Sequence, residues 1–167
     1  MQASYVEGFL PFAAEPSLRQ DYMNSYGGIR IGKILEDLDA LSGAIAYQHT
    51  DDDGRTPTPA IVTASVDRID LLASMPVDQD YKVAGHVSYV GTSSMEITVR
   101  VESAKTGDEK IGATSWQPHL LAKFTMVARD PVAGKALQVN PLDQSSFSAL
   151  EAQLFDRGKR TPYFLFL

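Results

Sequence analysis

One window of this chain carries a helical stripe of branched apolar residues, and most of the chain beyond it is patterned like strand. Ile34, Leu35, Leu38, Leu41 and Ile45 recur at helical spacing in a helix that begins near Ile31. Ser42, Gly43, Ala44 and Ala46 add small side chains suited to lying close against a sheet. Downstream, "AIVTASVDRIDLLAS", "YKVAGHVSYVG", "SSMEITVRVE" and "LLAKFTMVARD" are β-rich stretches broken by turn residues, with almost no helical pattern between them. A long helix with one apolar stripe must bury it, and so must a sheet with one apolar face. The expected class is therefore α+β, an antiparallel sheet of about five strands curled around one central helix.

Local signals fill in the rest. "SYVEGFLPF" is a short strand ending at a Pro, Pro16 opens a brief helix running to about Tyr22, and "NSYGG" (Asn24 to Gly28) is turn chemistry. In the first strand after the long helix, Val62, Ala64 and Val66 share one parity while Ile69 and Leu71 take the other, which implies a bulge near Asp67 and Arg68. Met95, Ile97, Val99 and Val101 alternate with Glu96, Thr98, Arg100 and Glu102, a pattern of one buried and one wetter face. In the last strand Phe124, Met126 and Ala128 share a side, with His119 in the loop before it. The core is expected over about residues 4–130 of a single domain, 1–167, with a polar tail from Pro131 and a short helix from Ser148 to Phe155. Open sheet edges favour pairing of two such units in a dimer or larger homo-oligomer.

Composition removes several function classes. The net charge of −6, from 21 acidic and 15 basic side chains, disfavours nucleic acid as a partner. No apolar run approaches the roughly 20 residues of a membrane-spanning helix. The N-terminal stretch lacks the basic and Arg-rich features of leader peptides, so a cytoplasmic location is expected, with the mitochondrial matrix as the alternative if a transit segment precedes this sequence. Cysteine is absent, which removes thiolate nucleophiles and disulfides. No HxH or HExxH spacing suggests a metal, no GxSxG suggests a serine nucleophile, and no GxGxxG suggests a dinucleotide. His49 falls at the helix C-terminus, where a cation is favoured, and His86 is a half-buried strand residue. "DDDGRTPTP" is a solvated connection.

Chemistry then rests on the acids of the helix. "GKILEDLDALSG" carries Glu36, Asp37 and Asp39. At about 100° per residue, Glu36 lies well outside the apolar stripe, while Asp37 and Asp39 flank its centre near Leu38 on opposite shoulders. Geometry on the wheel leaves these two equivalent.

The blocks "SYVEGFLPF", "IRIGKILEDLDALSGAIAYQH", "IVTASVDRID", "GHVSYVGTSSMEI", "AKFTMVARD" and "VNPL", in this order, resemble the first repeat of the two-repeat mitochondrial acyl-CoA thioesterases, the acyl-CoA thioesterase nine family. More loosely, "LDALSG", "VTASVD" and "SSMEI" are similar to the wider hotdog-fold thioesterases. The resemblance covers about residues 4–142. It implies a hotdog fold that pairs as a double hotdog, with acyl-CoA as substrate, hydrolysis to a free acid and CoA as the reaction, and no cofactor. It also implies Asp39 as the catalytic carboxylate, acting as general base or nucleophile, with Asp37 a bystander.

By the same resemblance Gly32 would offer its backbone N–H to the thioester oxygen, and Thr63 or Ser65 would hold a water or orient Asp39. Ser93 and Ser94 would contact pantetheine. Arg30, Arg68, Lys82 and Lys123 are candidates for the CoA phosphates. The chain departs from the family in one respect. Gly28 and Ile31 stand where an N-x-x-G-G pattern has its Asn and first Gly, with Asn24 outside that register. An acyl-CoA-binding module without turnover, or a subunit that needs an Asn-bearing partner, is the alternative.

Overall fold

The computed structural model describes residues 4–51, 58–105 and 115–142. Its elements are β1 (Val6–Leu10), α1 (Pro16–Asp21), α2 (Ile31–Thr50), β2 (Ala60–Leu71), β3 (Tyr81–Val90), β4 (Ser94–Ala104) and β5 (Trp116–Arg129). The five strands form one antiparallel sheet in the order β1-β3-β4-β5-β2. α2 lies across one face of the sheet and touches all five strands. This is the hotdog arrangement expected from the sequence.

The helix turns slightly from its predicted stripe. Ile34, Leu38, Ser42, Ile45, Ala46 and Thr50 are buried, while Leu35 and Leu41 are only half-buried at the margins. Two hydroxyls can enter the core because each bonds back to its own helix. Ser42 Oγ donates to the Leu38 carbonyl at 2.7 Å and Thr50 Oγ1 to the Ala46 carbonyl at 3.0 Å. Of the four small helix residues, Ser42 and Ala46 face the sheet, whereas Gly43 and Ala44 do not lie in the core. The tightest approach is made by a glycine of the sheet. A Cβ on Gly85 would stand 2.6 Å from Val99 Cγ1 and 2.8 Å from Ile45 Cδ1.

β2 differs most from its predicted pattern. The register against β5 shifts between Thr63 and Ser65 and again between Val66 and Arg68. The bulge expected near Asp67 is present, and a second one lies at Ala64. Directly paired residues share a face of the sheet. The partners of Ile61, Thr63, Val66, Ile69 and Leu71 are the core residues Ala128, Met126, Phe124, Ala122 and Leu120. Val66, Ile69 and Leu71 thus share the helix side, as the bulge near Asp67 implies, while the second bulge puts Ile61 and Thr63 there in place of Val62 and Ala64.

β5 begins earlier than expected, at Trp116, and takes in His119. Pro118 is accommodated because the β4–β5 register slips there, pairing Val101 with Leu120 and Glu102 with Pro118. His119 is a buried strand residue and not a loop residue. One ring nitrogen bonds Ser103 Oγ at 2.8 Å, and the other donates to the Ser74 carbonyl at 2.6 Å.

The outer face of β4 is also drier than alternation suggests. Glu96, only 2% exposed, receives Lys123 Nζ at 2.7 Å and Ser88 Oγ at 2.7 Å. Glu102 pairs with Lys82 at 3.4 Å and Arg100 at 3.1 Å, and Lys82 Nζ lies 3.8 Å from the Trp116 ring centre. Opposite charges offset one another, across neighbouring strands for Lys123–Glu96 and Lys82–Glu102 and within β4 for Arg100–Glu102, although Arg100 Nε and Glu102 Oε2 make no hydrogen bond. His86 is half-buried opposite Thr98.

After Pro131 the chain returns to the sheet. The Leu137 N–H donates to the Ala128 carbonyl at 2.9 Å and the Val139 N–H to the Thr92 carbonyl at 3.0 Å, and Val139 and Leu142 join the core. The predicted helix from Ser148 to Phe155 lies outside the described residues. His49 fastens this return to the end of α2 by donating from Nε2 to the Asn140 carbonyl at 2.8 Å. It is not the helix-end cation the sequence suggested, because burial pushes its imidazole below the ordinary value and outweighs the Asn140 bond.

An unfolded histidine titrates near 6.5, so acid protonates the unfolded chain first. The stability supplied here is complete above pH 6.5 and declines as pH falls below it. Melting temperature followed from pH 7.5 to 5 should drop in the parent more steeply than in His49→Gln. Parallel profiles would remove the effect.

Candidate active site

The two shoulder acids separate once the fold is in place. Asp37 Oδ2 accepts from Tyr22 Oη at 2.7 Å, tying the segment after α1 to the helix. Burial first, and then this bond, hold the Tyr22 phenol well above its ordinary pKa, so it stays a donor. Glu36 is exposed and pairs with Lys33 at 2.9 Å. Asp39, on the other shoulder, accepts from Thr63 Oγ1 at 2.8 Å.

Thr63 reaches Asp39 because it lies before the Ala64 bulge, on the helix side opposite Met126, whose Sδ is 3.4 Å from the same hydroxyl. Ser65 lies after the bulge, opposite Thr125, and donates to Asp67 at 2.7 Å. Beyond Thr63 the helix no longer covers the sheet. Val66, Ile69 and Leu71 are 48%, 42% and 59% exposed although their neighbours across β5 are core. An uncovered apolar strip thus runs along β2 from the Asp39–Thr63 pair.

Gly32 is the second residue of α2, exposed, with open space where a Cβ would be. Its N–H belongs to the first turn, where amides have no partner within the helix and the dipole is positive. Seven residues separate it from Asp39, about 10 Å along the axis at 1.5 Å per residue.

The remaining predicted residues do not gather at Asp39. Arg68 pairs with Asp70 at 2.6 Å on the surface. Arg30 donates to the Asp21 carbonyl. Lys82 and Lys123 are held in the ion pairs on the outer face. Ser93 and Ser94 shape the β3–β4 turn through their carbonyls, which accept from the Ala128 and Gly91 N–H groups, each at 2.8 Å.

Two features outside the predicted set have distinctive surroundings. Asn24 Oδ1 accepts from the N–H groups of Tyr26 at 2.9 Å and Gly28 at 3.0 Å, inside a turn that Gly27 permits with φ of +82°. A cavity of about 440 Å³ is lined by Pro16, Arg19, Gln20, Met23, Asn24 and Ser25. A short helix ending in a tight turn gave no pocket signal in sequence, because a cavity is a property of how those residues pack.

A five-stranded antiparallel sheet wrapped on one long helix, with a helix-borne carboxylate at its uncovered edge, defines a hotdog protein. The family model of the thioesterase superfamily matches residues 32–110 of the chain. The chain is 41% identical over 161 residues to the mitochondrial acyl-coenzyme A thioesterase 9 of Homo sapiens, a match spanning 95% of this chain and 35% of that protein. It is 42% identical over 150 residues to the chloroplastic acyl-coenzyme A thioesterase 2 of Humulus lupulus, covering 89% and 33%. The chain thus spans about a third of the length of these relatives.

Among solved structures, an acyl-CoA hydrolase from Staphylococcus aureus in complex with butyryl-CoA and CoA superposes with a TM-score of 0.74 at 21% identity, over 95% of this chain and 84% of that one. An apo-hexameric acyl-CoA thioesterase superposes with 0.72 at 25% identity, over 95% and 88%.

Proposed function

We propose that this protein is an acyl-CoA thioesterase, hydrolysing the thioester to a free acid and CoA, with Asp39 as its catalytic carboxylate. The observation that carries this is the Asp39–Thr63 contact of 2.8 Å at the head of an uncovered apolar strip. A carboxylate so held can take a proton from water while the water oxygen attacks the carbonyl carbon. Collapse of the tetrahedral intermediate breaks the C–S bond, and the proton passes to the departing thiolate. Attack by the carboxylate itself, followed by hydrolysis of the anhydride, gives the same products.

The site is shared between subunits. Reacting atoms must come within about 3.5 Å, yet Asp39 and the Gly32 N–H are separated by about 10 Å along one helix. They meet at one carbonyl only if the Gly32 end of a second helix faces the Asp39 shoulder of the first. A homodimer or larger homo-oligomer supplies that second helix, and its covering of the β2 edge would bury the exposed Val66, Ile69 and Leu71. The hexameric relatives accord with this.

Asn24 is the second donor in this scheme, and its register is revised from the sequence-based placement. The Staphylococcus aureus hydrolase has been solved with an Asn and an Asp, fifteen residues apart, each replaced by Ala. Asn24 precedes Asp39 by the same fifteen residues. With Oδ1 occupied by two backbone N–H groups, its Nδ2 is the group left to donate to the thioester oxygen. The mitochondrial relative fits a mitochondrial compartment, the alternative to the cytoplasm.

A thiol-release assay over short, medium and long acyl-CoA tests the function. Release of CoA from at least one class is expected. CoA binding without thiol release would instead identify a binding module. Thr63 is a positioning residue here, so Thr63→Ala should lower kcat about tenfold, the equivalent of about 1.4 kcal/mol, and leave KM within twofold. A KM effect alone would mean that Thr63 serves packing or binding.

A further inference from the structure

Every basic residue that the sequence offered for CoA phosphates is engaged within the fold. Arg30 donates to a carbonyl, Arg68 to Asp70, Lys82 to Glu102 and Lys123 to Glu96. Arg100 pairs with Glu102, and Arg129 donates to the Gly134 carbonyl. Among the described residues Arg19 is the arginine whose guanidinium meets no acceptor, and it lines the cavity of about 440 Å³ that Asn24 also borders. Gln20 and Ser25 add polar groups to the same wall, while Pro16 and Met23 supply its apolar part.

A guanidinium with five donors in a fixed fork matches the paired oxygens of phosphate or carboxylate. In a chain of net charge −6, an anionic ligand needs a local cation to offset the general repulsion. Arg19 is half-buried on α1, which is anchored next to α2 through the Tyr22–Asp37 bond and the Arg30 N–H to Tyr22 carbonyl bond of 2.8 Å. The fork is therefore presented from a fixed element, not a free loop.

We infer that the Arg19 cavity is the subsite for an anionic group of the thioester substrate, either a phosphate of its CoA moiety or a carboxylate carried on its acyl chain. This rests on the thioesterase function proposed above.

The test uses the full chain, its Arg19→Gln and Arg19→Lys variants, and three substrates: an acyl-CoA, the same acyl group on pantetheine without the nucleotide, and an ω-carboxyacyl-CoA. For a phosphate, Arg19→Gln should raise KM for both CoA esters about five- to tenfold and leave the pantetheine ester unchanged. For an acyl carboxylate, only the ω-carboxyacyl ester should be affected. Arg19→Lys should recover part of the loss, and kcat should stay within twofold throughout.

Calorimetry with free CoA and with the ω-carboxylic acid product supplies a readout independent of turnover. A parent that binds either one, with affinity lost in Arg19→Gln, upholds the subsite even if no thiol is ever released. Equal KM and equal affinity in parent and Arg19→Gln overturn it, even in an active enzyme.

Discussion

Asp39→Asn is expected to lower kcat for acyl-CoA hydrolysis by a factor of about 10² to 10⁴, the range supplied by a positioned acid–base group. KM should change little, because the amide keeps the size of the carboxylate and can still accept from Thr63. Stability should also hold, since Asp39 is half-exposed and its partner is retained. Asp37→Asn is the matched control. It weakens the bond to the buried Tyr22 and should cost about 1 kcal/mol of stability, with activity within a few-fold of the parent. Thiol release and thermal melting on the two variants separate the roles, and deep loss of activity in Asp37→Asn alone would reverse the assignment.

The second large effect is on folding. Gly85→Ala places a methyl group 2.6 Å from Val99 Cγ1 and 2.8 Å from both Ile45 Cδ1 and the Thr98 carbonyl oxygen. Side chains can rotate away, but a carbonyl within the β3–β4 ladder cannot move without breaking pairing. Alanine should cost about 1 to 3 kcal/mol, the usual range for overpacking a close-packed core. Valine, with two further methyls, should prevent accumulation of folded protein. Gly8→Ala is the control, because its added Cβ would stand 3.4 Å from Val83 Cγ2, an ordinary contact. Urea midpoints compare the alanine variants, and equal midpoints would mean that α2 is not pressed against Gly85.

Much of the fold was legible in sequence because it depends on neighbours along the chain. The spacing from Ile34 to Ile45 specifies a helix whatever it packs on, and Met95 to Val101 specifies a strand in the same way. The failures occurred where distant residues intervene. Pro118 conceals the start of β5 until a register slip against β4 makes room for it. Glu96 and Glu102 read as solvent-facing until Lys123, Lys82 and Arg100 on the same sheet are seen to neutralise them. Ala64 gives no bulge signal, yet its bulge determines that Thr63 and not Ser65 faces the helix.

The candidate site divides along the same line. Local periodicity determined by itself that this chain is one helix against an antiparallel sheet, and that two aspartates ride the shoulders of that helix. Tertiary structure alone separated them, since Tyr22, fifteen positions from Asp37, and Thr63, twenty-four from Asp39, approach opposite flanks only after the chain has closed. The physical reason is that a helical wheel records angles about one axis, whereas a carboxylate's chemistry depends on which donor the rest of the fold brings within hydrogen-bonding distance.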